Sequence, residues 1–120
     1  MDIKLKVTNI GEMVEAFGEE NLLILFGPKA TNELKPISVM HEFQEDPEGD
    51  FLKPGTLITI NDETFTITQV GSAANDNFNE LGHVSIYFKE NVEELLPGAV
   101  QAEPEGFPDI KEGDIITFTN

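Results

Sequence analysis

The sequence contains no cysteine and no arginine, and both absences restrict its chemistry. Without cysteine, the chain can form no disulfide, thiolate nucleophile or sulfur-ligated metal site, so a cytoplasmic protein is the simplest expectation. Without arginine, any bound phosphoryl group must be held by backbone N–H groups, amides, histidine or lysine. The longest purely aliphatic and aromatic run extends only from Leu22 to Phe26, so no direct membrane insertion is expected.

Positive charge is also scarce, because only seven lysines oppose 23 acidic residues and the net charge is -16. Nucleic acid is therefore not an expected partner, since phosphate backbones are bound through basic side chains. A basic protein partner fits this charge, and so does the plainer reading that the acids only keep the chain soluble. The length of 120 residues predicts one domain with one core.

Alternation of apolar and polar residues predicts a succession of short strands. Helical turns are expected near 13–17 and 92–96. Either a barrel or a sandwich accommodates this pattern, and the predicted fold class is all-β: a single small closed β-barrel of about seven or eight short strands with one or two helical turns. The predicted strands cover residues 2–8, 21–26, 37–43, 55–60, 64–70, 83–88, 99–102 and 114–119.

The stretch 71–88, GSAANDNFNELGHVSIYF, crowds glycines, amides and a histidine between two predicted strands. Asn77 is expected to cap a single helical turn, with Glu80 at the capping-box position and Gly82 at a left-handed exit. His83 then begins the outgoing strand on its more polar face, which presents the ring toward solvent or a cleft.

His41 and His83 are the two candidate reactive residues. Neutral imidazole is a good nucleophile near pH 7, and a phosphoryl group on its nitrogen remains reactive enough to be passed on. Each histidine also has a plain structural reading: His41, on the apolar face of a strand, as a packed residue, and His83, at a strand start, as a loop anchor. The sequence contains no calcium loop, nucleotide-binding glycine fingerprint, phosphate loop or serine elbow, and no metal is expected.

The run VGSAANDNFNELGHVSIYF, together with VMH at 39–41 and LKPGTLITI at 52–60, resembles the glucitol/sorbitol-specific enzyme IIA component of the bacterial phosphoenolpyruvate-dependent sugar phosphotransferase system. The resemblance covers about residues 37–118, and the first 35 residues match only in their strand pattern. It implies a single phosphocarrier IIA domain over 1–120, which needs no cofactor. Such a domain accepts a phosphoryl group from the phosphorylated carrier protein HPr on a histidine. It then passes the group to the IIB component, before the membrane component IIC phosphorylates the entering hexitol.

The resemblance also assigns roles to the two histidines. The family's acceptor follows a short apolar strand, which makes His41 the implied acceptor and gives its neighbours Val39 and Phe43 a place in a shallow docking surface. His83 is the implied second histidine, either donating a hydrogen bond to the phosphoryl group or orienting the ring of His41. Phe43 departs from relatives that carry another histidine there, and this removes a rival acceptor.

The positive lining of the phosphoryl site is predicted to come from the loop before His83. Backbone N–H groups of Gly71, Ser72, Ala73 and Ala74 are expected to provide it, together with Asn77 and the N-terminus of the helical turn. The alternative to a phosphocarrier is a non-catalytic β-barrel module that binds a small polar ligand or a protein through the 71–83 loop.

Overall fold

The computed structural model describes residues 2–120, which form eight strands and two short α-helices. The strands close into a mixed barrel, so the fold class predicted from the alternating pattern is confirmed. The strands are β1 (Asp2–Ile10), β2 (Leu22–Phe26), β3 (Val39–Phe43), β4 (Leu57–Ile60), β5 (Glu63–Val70), β6 (Val84–Tyr87), β7 (Ala99–Glu103) and β8 (Ile115–Thr119), and the helices are α1 (Val14–Gly18) and α2 (Ala74–Leu81).

The strand order around the barrel is β1-β3-β2-β6-β7-β5-β4-β8, and β8 pairs with β1 to close it. The pairs β2–β3 and β6–β7 are parallel, whereas the other neighbours are antiparallel. Because β3 runs parallel to β2 and β6 runs antiparallel to it, the end of β2 lies between the first residues of β3 and the start of β6. This arrangement brings residues 27, 41 and 82–83 to one corner of the barrel.

The core fills the barrel interior, because every second residue of a strand points to the same face. Along β1, for example, Ile3, Leu5 and Val7 are buried while the intervening residues are exposed. A smaller cluster lies on the outer face of the wall. It consists of Phe26, Ala30 and Met40, with Leu34 and Leu81 packed against them.

Helix α2 is longer than the single turn predicted from the sequence. It begins at Ala74, so Asn77 lies inside the helix and the N-cap is Ala73, which makes no side-chain cap hydrogen bond. Ala74 and Phe78, one helical repeat apart, are fully buried, and this packing fixes the helix start more strongly than Asn77 does. The predicted exit is confirmed, because Gly82 has a φ of 64° and ends the helix in the left-handed conformation.

Two smaller expectations were wrong. Residues 92–96 form no helix, and Ile37, where the third strand was expected to begin, is the last residue of a 3-10 turn over Lys35–Ile37. Pro36 lies in this turn, and proline supplies no backbone N–H for a strand ladder, so β3 begins only at Val39. Within residues 2–120, neither helix is long and apolar enough to cross a bilayer.

Candidate functional site

His41 lies on the inner face of the barrel wall, opposite Val7 of β1. Its side chain is 1% exposed. The alternating pattern predicted that His41 lies on the more apolar face of its strand, and in the barrel that face points into the core. The ring of Phe43, two residues along β3, meets the imidazole edge-on with the ring centroids 4.9 Å apart. Val39 on the same face is fully buried, so it cannot belong to the docking surface that the sequence suggested.

The hydrogen bonds of His41 determine which ring nitrogen carries the proton. Nε2 lies 2.7 Å from the carbonyl oxygen of Gly82, and a carbonyl only accepts, so Nε2–H donates. The neutral ring then has its lone pair on Nδ1, which is buried and has no hydrogen-bond partner. Burial lowers the pKa of His41 below its ordinary value of 6.5, and the hydrogen bond to Gly82 partly opposes that shift. His41 is therefore mostly neutral at pH 7, the form in which imidazole is nucleophilic.

Gly82 can occupy its position because it has no side chain. A Cβ there would lie 2.8 Å from Cε1 of His41 and 3.1 Å from the Cα of Gly27. The positive φ of Gly82 also favours glycine. The close approach of two backbone segments at Gly27 and Gly82 thus holds the Gly82 carbonyl against the tip of the His41 ring.

His83 lies on the opposite face of the same wall. Its neighbours along β6, Val84 and Ile86, alternate with it and are fully buried, which leaves His83 on the outer face and half-buried. Its Nδ1–H donates to the carbonyl of Leu25 over 3.1 Å, and its ring stacks on Phe26 with the centroids 4.4 Å apart. No hydrogen bond or ring contact joins the two imidazoles within residues 2–120, and they are connected instead through the backbone of Gly82.

A cleft of about 370 Å³ adjoins this corner. Phe43 and Gly82, which contact the His41 ring, line it together with Asn79 and the segment 27–29. Asn79 donates from Nδ2 to the carbonyl of Gly49 over 2.8 Å, but its Oδ1 is buried without a partner. In the described part of the chain, this oxygen and Nδ1 of His41 are the two buried side-chain polar atoms left unsatisfied. Such atoms are rare and costly in folded proteins. Asn79 lines the cleft and the ring of His41 contacts two residues that line it, so this corner is the candidate functional site.

The loop 71–74, which was predicted to line the phosphoryl site, lies away from the two histidines. The N–H groups of Gly71, Ala73, Ala74 and Asn77 donate to the carbonyls of Ala99, Pro97, Gly71 and Ala73, respectively, and Ser72 is exposed. The eight residues of α2 extend over about 12 Å, and it is the C-terminal end of the helix that meets the histidines. The structure thus brings His41 and His83 together around Gly82 and leaves residues 71–74 at the far end of the helix.

The cleft residues missed by the sequence reasoning include Gly27, Lys29 and Asn79. Gly27 and Lys29 directly follow the predicted strand 21–26, and Asn79 lies between Phe78 and Glu80 without a motif that distinguishes it. A larger groove of about 560 Å³ lies between α1 and residues 107–110, but no histidine lines it. Among residues 2–120, no group of three or more histidine and acidic side chains is placed to hold a metal ion.

Comparison with known proteins covers nearly the whole chain. The family model for the PTS system glucitol/sorbitol-specific IIA component matches residues 2–117. The PTS system glucitol/sorbitol-specific EIIA components of Shigella flexneri and Escherichia coli K12 are each 30% identical over 112 residues, which are 93% of this chain and 89% of each relative. The crystal structure of a PTS system IIA component from Enterococcus faecalis V583 superimposes with a TM-score of 0.86 at 30% identity, covering 98% of this chain and 99% of that one. The similarity therefore includes β1 and α1, where the sequence alone had shown only a strand pattern.

Proposed function

We propose that this chain, which belongs to the family of PTS glucitol/sorbitol-specific IIA components, accepts a phosphoryl group from phosphorylated HPr on His41. It then passes the group to the glucitol/sorbitol-specific IIB component, and the membrane component IIC uses it in sugar uptake. The chain itself neither binds the sugar nor needs a cofactor in this scheme. Its place is cytoplasmic, because its partners exchange the phosphoryl group there.

The observation that supports His41 as the acceptor is its unsatisfied ring beside an open cleft. The ring is neutral and its buried Nδ1 has no partner, so Nδ1 can take up the ring proton and leave Nε2 to form the new bond. His83 instead donates from Nδ1–H to the carbonyl of Leu25 and stacks its ring on Phe26. The lowered pKa of His41 strengthens this assignment, because protonation would remove the lone pair that attacks phosphorus.

The transfer is a displacement at phosphorus between two nucleophiles. The lone pair of the unprotonated ring nitrogen of His41 forms the new N–P bond, and the bond from phosphorus to the donor breaks with its electron pair returning to the donor. The ring proton of His41 remains on the other nitrogen, so the step needs no external acid or base. Positioning and charge stabilisation supply most of the catalysis in such reactions.

Neither nitrogen of His41 is accessible in the described conformation, so the corner must open before transfer. Nδ1 is buried, and Nε2 is covered by the Gly82 carbonyl. Nε2 is at the tip of the ring and contacts a residue that lines the cleft, so moving the Gly82 carbonyl aside exposes Nε2 first. Nε2 then gives its proton to water and Nδ1 takes one up, which leaves the lone pair on the nitrogen that faces the cleft.

His83 then has a positioning role rather than a direct one. Its hydrogen bond to Leu25 and its stack on Phe26 hold the backbone at residues 82–83, and this backbone in turn orients the ring of His41. In this arrangement, its effect on the acceptor passes through the Gly82 carbonyl.

The direct test is labelling with phosphoenolpyruvate, the two general phosphotransferase proteins and the purified chain. The wild type is expected to acquire an acid-labile phosphohistidine, which His41→Ala and His41→Gln lose and His83→Ala retains. Circular dichroism of the variants checks that they are folded.

Two results would contradict the proposal. Label that survives in both His41 variants and disappears in His83→Ala would reverse the two roles. A folded wild type that acquires no label at all would favour the alternative, a barrel that only binds a small polar ligand or a protein through residues 71–83.

A further inference from the structure

We infer that the cleft beside Gly82 holds the phosphoryl group carried by His41, and that Lys29 is the cation that binds its oxygens. This inference rests on the proposed phosphocarrier function and adds a binding residue to it. Lys29 is the only basic residue among those that line the cleft, and its ammonium group has no hydrogen bond or ion pair within residues 2–120.

The backbone around Lys29 is firmly held. Gly27 donates its N–H to the carbonyl of Leu81 over 2.9 Å, which ties the end of β2 to the end of α2. Ala30 donates to the carbonyl of Gly27 over 3.2 Å and closes a four-residue turn with Pro28 at its second position, where the fixed φ of proline is favourable. Ala30 is buried in the outer cluster with Phe26 and Met40. Lys29 therefore projects from an anchored turn while its own side chain is exposed and free to reach the cleft.

The other charges and dipoles at the cleft disfavour a phosphoryl group. The carboxylates of Asp46 and Glu80 line it, and α2 ends there, so the negative end of the helix dipole faces the site. The chain has no arginine, and the N–H groups of Gly71, Ala73 and Ala74 donate to other carbonyls at the far end of α2. A dianionic phosphoryl group on His41 thus needs a cation from nearby, and an ammonium group can provide it as a mobile point charge.

Gly82 and Gly27 connect His41 to the turn that carries Lys29. Nε2 of His41 is 2.7 Å from the Gly82 carbonyl, and the Gly82 backbone packs against Gly27, two residues before Lys29. Once the Gly82 carbonyl moves off Nε2, a group bonded to that nitrogen extends into the space between Gly82 and the 27–30 turn. The same displacement that exposes the acceptor therefore directs the phosphoryl oxygens toward Lys29.

The test compares Lys29→Gln with Lys89→Gln in the full chain. Both variants remove one positive charge, but Lys89 follows β6 at the end remote from His83 and lies over the ring of Tyr87. After phosphorylation, a ³¹P NMR pH titration reports the pKa of the phosphoryl group. Lys29→Gln is expected to raise that pKa by roughly half a pH unit or more, because a nearby cation stabilises the dianion. It is also expected to slow single-turnover transfer from phosphorylated HPr about tenfold.

The control Lys89→Gln is expected to leave both quantities near the wild-type values, and Lys29→Arg to restore the phosphoryl pKa because it keeps the charge. A labelled Lys29→Gln variant whose titration and transfer rate both match the wild type would overturn this inference and leave the phosphocarrier function standing. An unlabelled wild type would overturn the phosphocarrier function, and this inference with it.

Discussion

The inner and outer faces of the wall around Gly82 each carry one histidine, in contrasting states. His41 on the inner face is 1% exposed, has one nitrogen without a partner and has a lowered pKa. His83 on the outer face is half-buried, hydrogen-bonded to Leu25 and stacked on Phe26. Gly82 lies between the two residues. The ring of His83 is held by a hydrogen bond and a stacking contact, whereas Nδ1 of the His41 ring has no hydrogen bond.

This difference supports the proposal that the barrel provides a nucleophile without any base to activate it. Burial keeps His41 neutral, and the buried unpaired nitrogen costs roughly 1 to 3 kcal/mol of stability. A purely structural histidine is expected to leave no buried nitrogen unpartnered, and His83 leaves none. We therefore interpret the inner ring, with its buried unpartnered Nδ1, as functional and the outer ring as its support.

The largest expected effect on stability comes from adding a side chain at Gly82, between the two histidines. Gly82→Ala would place a Cβ 2.8 Å from Cε1 of His41 and 3.1 Å from the Cα of Gly27, in a residue with a φ of 64°. The clash and the strained backbone together predict a loss of about 2 to 4 kcal/mol in the free energy of unfolding. Urea denaturation measures this loss.

Gly49→Ala is the matched control, because Gly49 has a φ of 57° and open space around its Cβ position. Only the backbone strain applies there, so about 1 kcal/mol is expected. Equal losses in the two variants would mean that the contact between Gly82 and His41 does not constrain the site.

Much of the fold could be predicted from alternation, because a period of two determines which face of each strand is buried. The same pattern placed His41 on an apolar face, and the preference of glycine for the left-handed helix exit placed Gly82. The closed barrel was predicted correctly, but the docking surface expected around His41 requires an accessible face, and in the barrel that face points into the core. Barrel closure depends on the pairing of β8 with β1, which lie at opposite ends of the sequence.

The candidate site was less predictable, because distant segments build it. Asn77 was the expected helix cap, but the packing of Ala74 and Phe78 in the core extends α2 by one turn at its start. That extension places the helix N-terminus, and the backbone donors before it, far from the histidines. The proximity of Lys29 to the site depends on the contact between Gly27 and Gly82, and no local sequence signal predicts it.

A change of pH is expected to have a smaller effect on the free energy of unfolding, and this effect should come from His41 on the inner face. The pKa of His41 is lowered in the folded state, so below about 6.5 the unfolded chain binds more protons than the folded chain. The contribution of His41 is therefore complete above that pH and is lost as the pH falls toward and below its folded pKa, with a slope of at most about 1.4 kcal/mol per pH unit. His41→Gln should remove this slope.

Urea denaturation of the wild type and His41→Gln between pH 5 and pH 8 measures the difference. Because the other titrating groups are common to both proteins, subtracting the two curves isolates the contribution of His41. A difference that stays constant across this range would contradict a lowered pKa and weaken the case for a neutral acceptor.

The smallest expected effect comes from the outer face. His83→Ala removes the stack on Phe26 and the hydrogen bond to Leu25, and a loss of about 1 to 2 kcal/mol in the free energy of unfolding follows from these two contacts. Phosphoryl labelling should persist but slow several-fold, because the backbone that positions His41 becomes less fixed.

His83→Phe separates the two contributions, since it keeps an aromatic ring against Phe26 and lacks the hydrogen bond. If His83→Phe matches the wild type in stability and His83→Ala does not, stacking alone holds the backbone. If both variants instead label at the wild-type rate, His83 does not position the acceptor, and the two faces of the wall act independently.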